Sequence, residues 1–227
     1  MTRPEPAVRQ RADVAAARVG RGPDSLGFVP LEYQTWEGRY DDPDHTWRTL
    51  YLARDAYGAW VEVLARFRPH DDLAAALEEI IAEEGDPAPI PGGRVPLSWL
   101  SNRRVAHARI MGRFADVGDP DTLRWLAARL TDVLAECDVR DLDLSAATGP
   151  QRRLTQAIAR ELYLHAGTEA IEYPSRHGET IRCIAVFETD GDLPDIAPVG
   201  EAYGPALEAD DFALERAMTL HNLSWES

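Results

Sequence analysis

Between Ile171 and Glu188 the chain reads IEYPSRHGETIRCIAVFE. Two runs rich in β-branched and apolar residues flank Pro174-Ser175-Arg176-His177-Gly178, the pattern of two strands joined by a turn. A chain with this segment is committed to a sheet. A further strand is expected at Arg48–Ala53, where Leu50 and Leu52 fall on one face and Thr49, Tyr51 and Ala53 on the other. Helical patterns lie between and beyond the strands. Asp55 can cap a helix reaching Phe67, in which Ala56, Trp60, Val63 and Phe67 recur at helical spacing. Asp71 or Asp72 can cap a second, strongly acidic helix to Glu84. Asp119-Pro120 pairs an N-cap with proline at the first helical position, opening a helix to Cys137. Thr148 to Gln151 fits a capping box for a helix to Ala166. A last helix is expected at Asp211–Leu220, and Arg9–Val19 fits a short one. Arg103–Val117 mixes basic and apolar residues without a firm period. The elements follow no regular βαβ beat, so the expected fold class is α+β.

At 227 residues the chain reads as a single domain, and the Pro/Gly-rich stretch at 85–94 as a loop within it. Its net charge of −15, from 24 basic and 39 acidic residues, opposes direct binding to nucleic acid or to an anionic membrane. All 24 basic residues are arginine. Schiff-base and lysine-base chemistry are therefore excluded, and any cationic site is built from guanidinium groups, which suit phosphate and carboxylate. Cys137 and Cys183 form neither a disulfide framework nor a metal-ligand spacing, and no two of the six histidines stand at i, i+3 or i+4. No metal site is expected. Walker A, HExxH, GxSxG and CxxC motifs are absent, and Gly20-Arg21-Gly22 has Ser25 where a dinucleotide fingerprint needs its third glycine. Without an apolar signal core or a membrane-length stretch, the expected location is the cytoplasm.

Four segments carry chemistry-bearing residues. WEGRYDDPD places Arg39 in a turn, TLYLA places Tyr51 on a strand, AYGAWVEVLARF places Glu62 on a helix, and YPSRHG places Ser175 at a bend. Gly58, Ala59 and Ala65 lie one turn either side of Glu62 and leave it room, although Trp60 stands close by. Each residue also has an ordinary reading. Glu62 can pair with Arg66 at i, i+4, and Arg39 with Asp41 or Asp42. Tyr51 can be a half-buried strand aromatic, and Ser175 a turn residue.

In combination, the blocks GRYDDPD…LYLARDAYGAWVEVLARFRP and RRLTQAIARELY…IEYPSRHGETIRCIAVFE resemble the RES domain, named for its Arg, Glu and Ser. The likeness covers roughly residues 27–188, leaving 1–26 and 189–227 as extensions. The resemblance implies an ADP-ribosyltransferase-like mixed sheet with surrounding helices. It implies an enzyme that consumes NAD⁺ as substrate, by hydrolysis or phosphorolysis, and needs no other cofactor. Its partners would be NAD⁺, inorganic phosphate as one acceptor, and a helix-turn-helix antitoxin; a homo-oligomer is compatible with it. By the same resemblance Arg39, Tyr51, Glu62 and Ser175 are the catalytic set. Arg39, Tyr51, Ser175 and Arg176 hold the substrate, with the arginines facing its phosphates. Protein ADP-ribosylation at the same site, a catalytically silent nucleotide- or partner-binding domain, and a ligand-free scaffold are the alternatives.

Overall fold

Val8–Arg21, where an alanine-rich pattern predicts a helix, is a strand, β1. The computed structural model describes residues 5–21, 25–69, 92–188, 195–199 and 211–226. Strand β1 runs antiparallel to β4 (Arg103–Asp116), from Val8 opposite Ala115 to Arg21 opposite Arg103. Its Val14 and Ala16 enter one core cluster, while Ala17 and Val19 enter another. This long non-local pairing overrides the helix preference of its alanines. The acidic helix expected at 71–84, and most of the 85–94 connector, lie outside the described residues.

The remaining strands of the main sheet are β2 (Thr49–Ala53), β5 (Ala170–Ser175), β6 (Gly178–Phe187) and β7 (Asp195–Pro198). β2 pairs β6, β6 pairs β5, and β5 runs parallel to the end of β4. β1 then returns to β2, so five strands close into a ring, with β7 added on β4. The closing contact is one registered pair, Ala17 opposite Ala53. The expected hairpin is β5–β6, with an irregularity between Pro174 and Ser175. A separate two-stranded sheet joins β3 (Arg94–Pro96) to β8 (Ser224–Glu226).

Helix α1 (Ala56–Leu64) starts where expected: the Asp55 carboxylate accepts from Gly58 N at 2.7 Å. It continues as a 3-10 turn through Phe67. A short α2 (Leu97–Ser101) precedes β4. The expected helix from Pro120 divides at Leu130 into α3 (Pro120–Arg129) and α4 (Thr131–Glu136), with Asp119 capping the first. Thr148 does not open a helix; its hydroxyl donates back to Leu144 O at 2.7 Å, ending α5 (Leu144–Ala147). α6 (Arg152–Ala166) starts after Gln151, and α7 (Phe212–Leu220) after its Asp211 cap.

The core lies on both sides of the strand ring. On one side α6 buries Leu154, Ile158 and Leu162 against Ile171, Ala185 and Phe187. On another, α1 buries Trp60, Val61 and Leu64 with Leu214 and Met218 of α7. Each fully buried leucine or isoleucine contributes about 1.5–3 kcal/mol of transfer free energy. The mixed sheet with segregated helices is an α+β fold. Among the described residues no helix is long and apolar enough to cross a membrane.

Candidate functional site

Beyond the Ala17–Ala53 pair, β1 and β2 form no further registered pair, and a cavity of about 390 Å³ occupies the gap. One wall carries Arg18 and Arg21 of β1 with Arg103 of β4. The other carries Tyr51, Tyr173 and Cys183 from β2, β5 and β6, while α1 contributes Glu62 and the turn after it Arg66. A second cavity of similar size shares Glu62 and Arg66 and adds Arg68, Arg176 and His177. Glu62 thus borders both. Trp60, its near neighbour in sequence, is fully buried in the core and lines neither cavity, so it leaves the site open.

Glu62 and Ser175, 113 residues apart, are joined directly: the serine hydroxyl donates to Glu62 Oε1. The same hydroxyl accepts from His177 N at 3.0 Å, so the turn fixes it from the other side. Ser175 is buried, whereas Glu62 is exposed. Among the described residues Glu62 forms no ion pair with Arg66, and the surface-pair reading is set aside. Cys183 Sγ lies 3.7 Å from Glu62 Oε1. Burial first, and then the glutamate charge, raise the thiol pKa, so Cys183 stays protonated. Burial, with smaller contributions from Arg176, His221 and Arg68, lowers His177 to about 4, although Glu62 opposes this. His177 is therefore neutral near pH 7.

The Gly-Arg-Tyr-Asp turn is built around the Tyr51 hydroxyl. That hydroxyl donates to Asp41 Oδ1 at 2.8 Å and accepts from Tyr40 N at 2.8 Å. Asp41 Oδ2 accepts from Gly38 N at 2.7 Å. A Cβ at position 38 would lie 2.5 Å from both Asp41 Oδ1 and the Tyr51 hydroxyl, so the turn needs glycine there. Burial and the neighbouring Asp41 push the Tyr51 pKa well up, keeping it a neutral phenol. Helix α6 holds the turn from outside: Gln156 Nε2 donates to Trp36 O at 3.0 Å and to Gly38 O at 3.2 Å.

Arg39 pairs with neither neighbouring aspartate. Asp41 is taken by Gly38 and Tyr51, and Asp42 by Thr46 and Arg160. The Arg39 guanidinium carbon lies 5.8 Å from the Tyr173 ring centroid, and its buried Nε has no partner among the described residues. Arg39 lines neither cavity; it reaches the site through Tyr173. No sequence motif singles out Tyr173, although it stands two residues before Ser175 and so on the same strand face. Arg21 and Arg103 carried no sequence signal, because only strand register brings them together.

A family model for the RES domain matches residues 15–206. The chain belongs to the RES-domain family. The match is wider than the two blocks visible by eye. No match is found among curated proteins. Among solved structures, a chain of the crystal structure of the M. tuberculosis MbcT–MbcA toxin–antitoxin complex is similar over 84% of each chain, at 15% identity and a TM-score of 0.45. In this RES domain, then, Glu62 and Ser175 touch, Tyr51 lines the same cavity as Glu62, Arg39 packs on its tyrosine wall, and Arg176 borders the second cavity.

Proposed function

We propose that this RES domain is an enzyme that consumes NAD⁺, cleaving the nicotinamide–ribose bond by hydrolysis or phosphorolysis. We further propose that it acts as the toxin of a toxin–antitoxin pair, with a helix-turn-helix antitoxin as its protein partner. One observation carries the enzymatic reading. Among the described residues Glu62 is the single carboxylate lining a cavity that holds four arginines and two tyrosines. Such a cavity suits an anionic dinucleotide bearing one reacting centre that becomes cationic.

Nicotinamide leaves as a neutral molecule from a cationic ring, so departure needs no strong acid. Charge develops instead on the ribose, as in other glycosidic cleavages. The Glu62 carboxylate would stabilise that charge or hold a ribose hydroxyl. Ser175, held by His177 N, aims one carboxylate oxygen while the other stays available. Tyr51 spends its hydroxyl on Asp41 and Tyr40, so it offers the cavity an apolar ring surface against nicotinamide or ribose. With Cys183 protonated and Tyr51 neutral, the carboxylate facing the reaction is that of Glu62. In hydrolysis the C1′–nitrogen bond breaks, water oxygen bonds to C1′, and its proton passes to solvent.

The test is the product formed from NAD⁺ with and without phosphate. Free ADP-ribose identifies hydrolysis and ADP-ribose-1″-phosphate identifies phosphorolysis. Label appearing on protein would favour ADP-ribosyl transfer, and absence of nicotinamide release under all conditions would overturn the proposal.

A further inference from the structure

The cationic wall of the cavity is built against its own stability. Arg21 and Arg103 stand directly opposite one another on antiparallel β1 and β4, a like-charge cross-strand pair. Arg66 adds a third cation, and no carboxylate among the described residues lies within ion-pair distance of any of the three. Arg103 is only 7% exposed, and its buried Nε has no hydrogen-bond partner among the described residues. Its guanidinium carbon lies 4.5 Å from the Trp99 ring centroid, which steadies the group without neutralising it. Burial, with repulsion from Arg21 and Arg66, brings the Arg103 pKa down to about 10, so it keeps its charge near neutral pH. In a chain of net charge −15, three arginines that face one cavity and form no ion pair among the described residues mark a place kept for an external anion.

We infer that Arg21, Arg66 and Arg103 form the subsite for the diphosphate of the dinucleotide. Calling the anion a diphosphate rests on the NAD⁺ reading. The anion site itself rests on the unpaired cluster. The placement fits: Arg66 follows Glu62 by four residues, in the 3-10 turn that continues α1, and both line the cavity. A diphosphate bridging the three guanidinium groups would bring Arg103 Nε its missing acceptor and relieve the cross-strand repulsion. The sugar would then reach toward Glu62 and Ser175, and nicotinamide toward Tyr51 and Tyr173.

The experiment is calorimetric titration of the full chain with ADP-ribose, ADP and inorganic pyrophosphate. Arg66→Gln and Arg21→Gln, both at exposed positions, should each raise the dissociation constant for ADP-ribose and pyrophosphate at least tenfold and flatten its salt dependence. Arg103→Met should weaken binding similarly while raising the Tm of the unliganded protein, because a buried unpaired cation is removed. Unchanged affinity in Arg66→Gln and Arg21→Gln, or loss of binding only in Arg176→Ala, overturns the subsite. If the wild type cleaves NAD⁺ and the variants keep its KM, the subsite fails and the enzymatic reading stands. If pyrophosphate binds through these arginines but NAD⁺ is never cleaved, the site stands and the enzymatic reading fails. If the wild type binds none of the three probes, the subsite is refuted.

Discussion

Glu172 and Glu62 are two glutamates treated in opposite ways. Glu172, on β5, is buried and surrounded by cations. Arg9 donates to it, Arg182 Nε does so at 3.2 Å, and Arg54 lies at 3.5 Å. Burial opposes its charge, but those three arginines overcome the penalty and hold its pKa below the ordinary value. Glu62 is exposed, and its hydrogen bonds run to a hydroxyl and a thiol. The two lie on opposite sides of β5, since Tyr173 lines the cavity, Ser175 reaches Glu62 from the same face, and residue 172 faces away. The contrast separates a carboxylate that holds strands together from one that forms no ion pair among the described residues. The arginines divide likewise: Arg9, Arg54 and Arg182 are paired, whereas Arg21, Arg66 and Arg103 form no ion pair among the described residues.

The sharpest way to break this contrast is Glu62→Gln, which keeps size and hydrogen bonding but removes the charge. We expect kcat for nicotinamide release to fall by about 10²–10³-fold with NAD⁺ affinity little changed. Wild-type turnover in this variant would make Glu62 an ordinary surface acid. Gly38→Ala attacks the turn that anchors Tyr51. The added methyl must displace Asp41 or the Tyr51 hydroxyl, at a cost of about 1–3 kcal/mol in denaturant unfolding. Unfolding at the wild-type midpoint would show that the turn gives way freely.

Glu172→Gln should show the reverse pattern from Glu62→Gln, with stability lost and the cavity chemistry kept. Its arginine partners are partly solvent-exposed, so a loss of about 1–2 kcal/mol is expected after allowing for screening. The folded-state pKa of Glu172 is depressed from 4.5, so its contribution is full above that value and is lost as pH falls below it. The variant's stability should therefore depend less on pH below 4.5 than the wild type's; parallel curves would remove Glu172 from the account. His177 titrates in a higher window. Its folded pKa is lowered from 6.5 to about 4, so the fold favours the neutral ring. Stability is unaffected by it above 6.5 and declines as pH falls toward 4, because the unfolded chain takes up the proton first. His177→Gln should flatten this modest slope, and an unchanged slope would assign it to other groups.

The parts of the fold legible in the sequence are those written in local chemistry. Asp55 and Asp119 cap their helices, alternation marks β2, and the Pro-Ser-Arg-His-Gly bend marks the β5–β6 hairpin, whose connection is Arg176-His177. β1 was misread because its alanines favour a helix until β4 supplies a partner some ninety residues later. β4 had no clear period because its two faces enter different clusters. For the site, family resemblance gave Arg39, Tyr51, Glu62 and Ser175 as a set, while spacing alone favoured ordinary roles for each. The pairing of Arg21 with Arg103 was illegible in principle, being a property of register and not of either segment.

Strand-ring closure also sets when this cavity can come into being. Its walls draw on β1 and β2 near the start of the chain and on β5 and β6 far along it. As the chain is synthesised, Glu62 emerges long before Ser175, with 113 residues between them. A nascent chain that has not yet extruded the β5–β6 hairpin lacks Tyr173 and Cys183, so one face of the cavity is missing. Any truncated product ending before residue 175 therefore carries Glu62 without the hydroxyl that aims it.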